Sequence, residues 1–292
     1  MRLAILGVGL IGGSIARAVR AARSAGGDDP FELITGWSPA GRGSAGALAD
    51  GLIDRVGGSL AGAVEDADLV VLATDPLACL DLLDELGRLP WAGDPATITD
   101  VASTKALLVE RADRLSLNFV GGHPMAGLET TGYGHSRADL FSGRPWVLCP
   151  GAHARPLDLE RVAVLLAACG AQLHWLSAPE HDRAVAAISH LPLALSAALV
   201  ASVTSAEDWP LARALAAGGW QSATRLAQGD VAMGAGIAAT NAPELARRLR
   251  AVRTQLDDWL ADLVETPDDP GATAERIEVR LRAARQALEP SA

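Results

Sequence analysis

The chain has 292 residues, 49% of them hydrophobic, which is enough for one large or two modest domains with a substantial core. A formal net charge of −10 argues against nucleic acid as a partner, and three scattered cysteines without a C-x-x-C pair exclude a disulfide framework or a thiolate metal site. No apolar run is read as approaching the ~20 residues that span a bilayer, and Met1-Arg2 leads straight into an apolar strand, so the expectation is a soluble, cytoplasmic protein without membrane contact.

Leu3 to Leu6 reads as a buried parallel strand running into Gly7-Val8-Gly9-Leu10-Ile11-Gly12, and Ser14 to Val19 reads as the start of a helix. In this strand, turn and helix context, G-x-G-x-x-G predicts a dinucleotide site. Gly7 would permit the tight turn, Gly9 the approach of a pyrophosphate, and Gly12 close packing of helix on strand. The phosphates would sit on free N–H groups at the helix start, where Leu10 and Ile11 stand.

A polar connection (Ser24 to Pro30) leads to a second strand, Phe31 to Gly36, then a loop and helix within Gly41 to Asp50. Leu69 to Ala73 is a continuous apolar run of parallel-strand type. Pro76 follows, Leu77 to Leu86 has helical spacing, and Gly87 is placed to end that helix. Further strands are expected at Ala96 to Thr99, Asn118 to Val120, Trp146 to Cys149 and Gln172 to Leu176. This alternation predicts a doubly wound parallel sheet of Rossmann type over residues 1–178. Glu180 to Val203, Trp209 to Ala217, Val231 to Thr240, Ala242 to Val264 and Ala272 to Leu288 read as helices, giving an all-α second domain over residues 179–292. Several are apolar on more than one face, which suggests burial against a second subunit.

In an open α/β sheet, ligands bind beyond the carboxyl ends of the strands. After the second strand stand Ser38 and Arg42, where a carboxylate would favour NAD; a hydroxyl and a guanidinium favour the 2′-phosphate of NADP, with NAD as the alternative. After the Leu69 strand come Thr74-Asp75-Pro76, expected along the cofactor, and after the Ala96 strand comes Asp100-Val101-Ala102-Ser103-Thr104-Lys105. Lys105 is the only lysine in the chain. His123 is expected in a turn after a strand on the same rim, suited to accept a hydroxyl proton during hydride removal. His190, in Ile188-Ser189-His190-Leu191-Pro192, lies in the first long helix, either as a core group or facing the cofactor. Arg225, after a break at Gly218-Gly219-Trp220, is a candidate carboxylate clamp or a surface ion pair. No His, Cys and carboxylate cluster has metal-ligand spacing, and Cys79, Cys149 and Cys169 read as buried free thiols.

Taken together, GVGLIGGS (7–14), DVASTK (100–105), GGHPMAG (121–127), ISHLPL (188–193) and the Arg225 segment running to Asn241 resemble the prephenate/arogenate dehydrogenase family. The resemblance implies an oxidoreductase of tyrosine biosynthesis in a 6-phosphogluconate-dehydrogenase-like arrangement, dimerising through its helical domain. It implies oxidative decarboxylation of prephenate to 4-hydroxyphenylpyruvate, of arogenate to tyrosine, or both. His123 would be the base and Ser103 would help orient it; His190 and Arg225 would bind substrate, and Glu129 would stand near the pocket mouth. Two other readings stay open: another two-domain β-hydroxyacid or imine dehydrogenase, and an NADP-sensing regulator without catalysis. The helical half contains no lysine, which counts against the former.

Overall fold

The computed structural model describes residues 1–24, 30–39, 41–90, 95–128, 130–265 and 268–289. The alternating half runs β1 (Arg2–Leu6), α1 (Leu10–Ser24), β2 (Leu33–Trp37), α2 (Arg42–Ala49), β3 (Arg55–Val56), α3 (Leu60–Val64), β4 (Leu69–Leu72) and α4 (Pro76–Leu86). It continues through β5 (Thr97–Asp100), α5 (Ala106–Arg114), β6 (Phe119–Pro124), β7 (Pro145–Pro150), α6 (Pro156–Ala168) and β8 (Gln172–Trp175). One eight-stranded sheet results, ordered β3-β2-β1-β4-β5-β6-β7-β8. All neighbours pair in parallel except β6 and β7. The strand order reverses between β1 and β4, so the glycine turn and the end of β4 flank the crevice where α/β sheets bind ligands.

Both faces of the sheet are covered, which is why β4 is apolar at every position and β1 is apolar from Leu3 to Leu6, while β5 buries Thr97, Thr99 and Asp100 beside Ile98. Leu3 and Ile5 of β1 pack with Ile15 and Val19 of α1 and Leu165 of α6 on one face. Ala4 and Leu6 pack with Leu83 of α4 and Leu108 of α5 on the other. The period of two in a strand makes this division automatic.

Pairing with β7 changes one expectation. His123 is not in a turn but inside β6, opposite Val147, because the antiparallel ladder carries the strand on through Gly121, Gly122 and Pro124. The break expected at Gly218-Gly219-Trp220 is likewise helical. Ala217 is extended and the chain becomes α10 (Gly218–Thr224), with its glycines in a first turn where unsatisfied N–H groups cost little.

The helices are α7 (Ala178–Val185), a π-helical turn (Ala186–His190), α8 (Leu191–Thr204), α9 (Trp209–Ala214), α10, α11 (Val231–Thr240), α12 (Ala242–Val264) and α13 (Pro270–Gln286). From Ala178 to Thr204 they make one continuous 27-residue helix with a mean hydropathy of 1.9, long and apolar enough to cross a membrane by length and composition, contrary to expectation. The π-helical turn carries the chain past Ser189-His190 and Pro192 without a break, so the apolar stretch is longer than its punctuation suggests. The polypeptide forms two compact units, Met1–Ala242 and Pro243–Ala292. In the second, ion pairs of Arg276 and Arg280 with Asp262 tie α13 to α12.

Candidate active site

The glycine turn is built by contact. Gly7 has φ +104° and donates its N–H to Trp37 O at 2.8 Å; a Cβ there would overlap the Ala73 carbonyl. A Cβ at Gly12 would overlap Gly7 O, so that glycine lets α1 sit directly on the turn. Gly9 differs from both. A Cβ there would meet nothing within 4 Å, because it faces an open cleft. The N–H groups at the start of α1, from Leu10 and Ile11, border the same cleft, so backbone donors and the helix dipole can receive a pyrophosphate.

Two adjoining cavities meet at Gly9. The smaller, of about 340 Å³, is lined by Ser38, Arg42, Gly43, Gly132 and Tyr133 as well as by the turn. Ser38 Oγ lies 3.3 Å from Ser44 Oγ, and Arg42 opens α2. Tyr133, the only tyrosine, is fixed over this end by a 2.6 Å hydrogen bond to Asp50 and by the Arg17 guanidinium at 3.1 Å. The larger cavity, of about 540 Å³, runs along the ends of β1, β4, β5 and β6 to the start of α11. Thr74 and Asp75, Ser103, and His123 line it from successive strands, with Asp230 and Met233 opposite. Asp75 also caps α4, its Oδ1 accepting from the N–H groups of Leu77 and Ala78, and Pro76 opens that helix. Pro76 therefore shapes the rim through the helix start; it is buried and does not line the cavity.

Among the described residues, His123 is the one histidine that lines this cavity. Burial, with His181, Lys105 and His190 nearby, holds its imidazole well below the usual histidine range. It is therefore neutral near pH 7 and able to take a proton. Its Nδ1 lies 2.8 Å from His181 Nε2, and His181 Nδ1 lies 2.8 Å from Asp182 Oδ1. Asp182 in turn accepts from the backbone N–H groups of Lys105 and Ala106 at 2.7 and 2.8 Å. His190 is buried behind this group, its Nδ1 3.2 Å from Asn241 Nδ2, and burial pushes its imidazole down to about 4.

The expected residues thus fall into three sets. Gly9, Leu10, Ile11, Ser38, Arg42, Thr74, Asp75, Ser103 and His123 line one continuous cleft, while Gly7 and Gly12 shape the turn and Pro76 the helix start beside it. His190 is a core group joined to the cleft wall, and Arg225 is exposed in a 3-10 turn just ahead of the cavity-lining Gly229 and Asp230. Glu129 lies outside the described residues. Cys79, Cys149 and Cys169 are buried free thiols, each pushed up to about 12 by burial. Sequence reasoning missed His181, Asp182 and Tyr133. The adjacent His-Asp pair after the Ser177–Glu180 capping box is the signal that could have found the first two.

An open sheet with the 3-2-1-4-5-6 order, a glycine turn on α1 and a histidine-walled cleft define a nucleotide-binding oxidoreductase of the dehydrogenase type. The sequence model described as "Prephenate dehydrogenase, nucleotide-binding domain" matches residues 18–175, and "Prephenate dehydrogenase, dimerization domain" matches residues 177–272. The chain belongs to the prephenate dehydrogenase family. It is 32% identical to a prephenate dehydrogenase of Bacillus subtilis (strain 168) over 89% of this chain and 67% of that protein. Among solved structures it is similar to Synechocystis arogenate dehydrogenase, with TM-score 0.78, 29% identity, and coverage of 99% and 100% of the two chains. It is also similar to prephenate dehydrogenase from A. aeolicus in complex with hydroxyphenyl propionate and NAD+, with TM-score 0.83, 27% identity, and 98% of each chain covered.

Proposed function

We propose that the protein catalyses oxidative decarboxylation of prephenate, arogenate or both, with NADP preferred over NAD and His123 as the base. One observation carries this reading: a buried imidazole, its charged form disfavoured by burial, stands on the same cavity wall as Ser103 and the glycine turn. Gly9 and the first N–H groups of α1 would hold the pyrophosphate, and Ser38 and Arg42 the 2′-phosphate. When bound, the nicotinamide accepts a hydride. His123 takes the proton of the substrate's ring hydroxyl as the carbon bearing that hydroxyl loses hydride, and a carbonyl forms there. The ring carboxylate then leaves as carbon dioxide; its bonding pair enters the ring, which becomes aromatic as the oxygen is protonated.

Ser103 would orient the hydroxyl and His123, His190 would support the wall behind them, and Arg225 would bind a substrate carboxylate. The division at residues 178/179 would then separate cofactor from substrate and dimer functions. Burial of the apolar α8, in which Ser196 is the only buried residue, against a second copy fits the family's dimerization domain. Turnover of prephenate and of arogenate, each with NADP and NAD and followed by reduced-nicotinamide absorbance, tests the proposal. Reduction with neither substrate would reject it.

A further inference from the structure

Behind His123 stand two residues to which the reaction as written gives no part. His123, His181 and Asp182 are all buried, at 9%, 1% and 2% exposure, and are joined in series by two 2.8 Å hydrogen bonds. Both oxygens of Asp182 are engaged as acceptors by the Lys105 and Ala106 N–H groups, so His181 Nδ1 is the donor to Oδ1. In the one-proton tautomer that this bond selects, His181 accepts at Nε2 and His123 Nδ1 is the donor. His123 Nε2 is then the nitrogen with the free lone pair. Of the charged and titratable groups around His123, namely Lys105, His181 and His190, only His181 is hydrogen-bonded to it among the described residues.

We propose that His181 and Asp182 are positioning residues that hold His123 as its Nδ1–H tautomer and steady the charge it gains on taking the substrate proton. The inference rests on the reading of His123 as the base. On proton uptake at Nε2, the Nδ1–H of His123 strengthens its bond to His181 Nε2. The Nδ1–H of His181 strengthens its bond to Asp182 in the same way, and no second proton need leave its nitrogen. Without His181, either tautomer of His123 is open, and the fraction with a proton on Nε2 cannot act. The same logic gives an orienting group behind a catalytic histidine its large effect on rate.

The test combines a spectrum with three variants. In the ¹⁵N-labelled wild-type chain, the ring nitrogens of His123, assigned by their loss in His123→Asn, should report the Nδ1–H form. His181→Leu, which removes the acceptor, should lower kcat about 10-fold or more while KM and cofactor Kd change less than about 2-fold. His181→Gln keeps a carbonyl to accept from His123 and an amide to donate to Asp182, and should restore most of the loss. A wild-type Nε2–H form, an unchanged kcat in His181→Leu, or equal losses in the two His181 variants would overturn the relay, even with His123→Asn inactive. An active His123→Asn would overturn the base itself and the relay with it. If His181→Leu does not fold, the wild-type spectrum and His181→Gln still decide.

Discussion

Lys105 and Asp100 form a fully buried ion pair beneath the strand that carries His123. Asp100 also accepts from the N–H groups of Ala102 at 2.9 Å and Gly122 at 3.0 Å, so one carboxylate ties the Ser103 loop to the residue preceding His123. Burial pushes its carboxyl above the usual range, and Lys105 is the largest opposing influence. Lys105→Met should therefore strand a carboxylate in the core and cost about 3–5 kcal/mol in urea unfolding. Adding Asp100→Leu should recover part of that loss. A cost below about 1 kcal/mol for the single variant would show that the pair does not hold the wall.

His123→Asn removes the proposed base while leaving the glycine turn intact. The expected result is a fall in kcat of ~10²-fold or more with cofactor Kd unchanged. The pH profile of the wild type adds an independent check. Because the imidazole is held well below 6.5, kcat/KM should stay flat as pH is lowered to 6.5 and decline only below it. An acid limb centred above 6.5 would mean that another group limits the reaction.

Cofactor choice rests on Ser38 and Arg42, which line the smaller cavity. Ser38→Asp places a carboxylate where the 2′-phosphate is proposed to sit, and should lower kcat/KM for NADP about 10-fold or more while sparing NAD. Arg42→Ala should raise KM for NADP with little change in kcat. A wild type that already prefers NAD would remove the basis of both expectations.

The half of the cleft around the glycine turn is legible in the sequence because its parts are local. A glycine turn, the residue after β2 and the residues after β4 are each read from a short stretch plus the rule that ligands bind at strand ends. The half walled by His123 depends on contacts distant in sequence. His181 reaches His123 across 58 positions, and Asp182 reaches Lys105 across 77. Neither spacing leaves a periodic mark. The partner of Lys105 was equally hidden, although its status as the single lysine pointed to a special position. The strand containing His123 was misjudged for a related reason: glycines end a strand by propensity, but pairing with β7 overrides that.

Two glycines of the turn, Gly12 and Gly9, should respond differently to alanine. Gly12→Ala drives a methyl into Gly7 O and should destabilise the protein by about 1–3 kcal/mol, as overpacking does. Gly9→Ala meets no atom of the protein within 4 Å, so its Tm should match the wild type while cofactor Kd rises. Thermal unfolding with and without cofactor separates the two. A destabilised Gly9→Ala that still binds cofactor normally would contradict the assignment of the open cleft to the pyrophosphate.

Acid should weaken the fold through the buried histidines. His190 has its imidazole pushed from 6.5 down to about 4 in the folded chain. Between those values the unfolded chain binds a proton that the folded chain refuses, so stability is complete above 6.5 and is lost as pH falls toward 4. The full shift is worth roughly 3 kcal/mol, and His123, lowered in the same direction, adds to the loss. Protonation of carboxylates also contributes at the acid end, so the informative comparison is with His190→Asn, which keeps a polar partner for Asn241. Urea unfolding at intervals from pH 7 to 4.5 should show a shallower decline in that variant than in the wild type. Parallel curves would mean that His190 already takes up its proton in the folded protein.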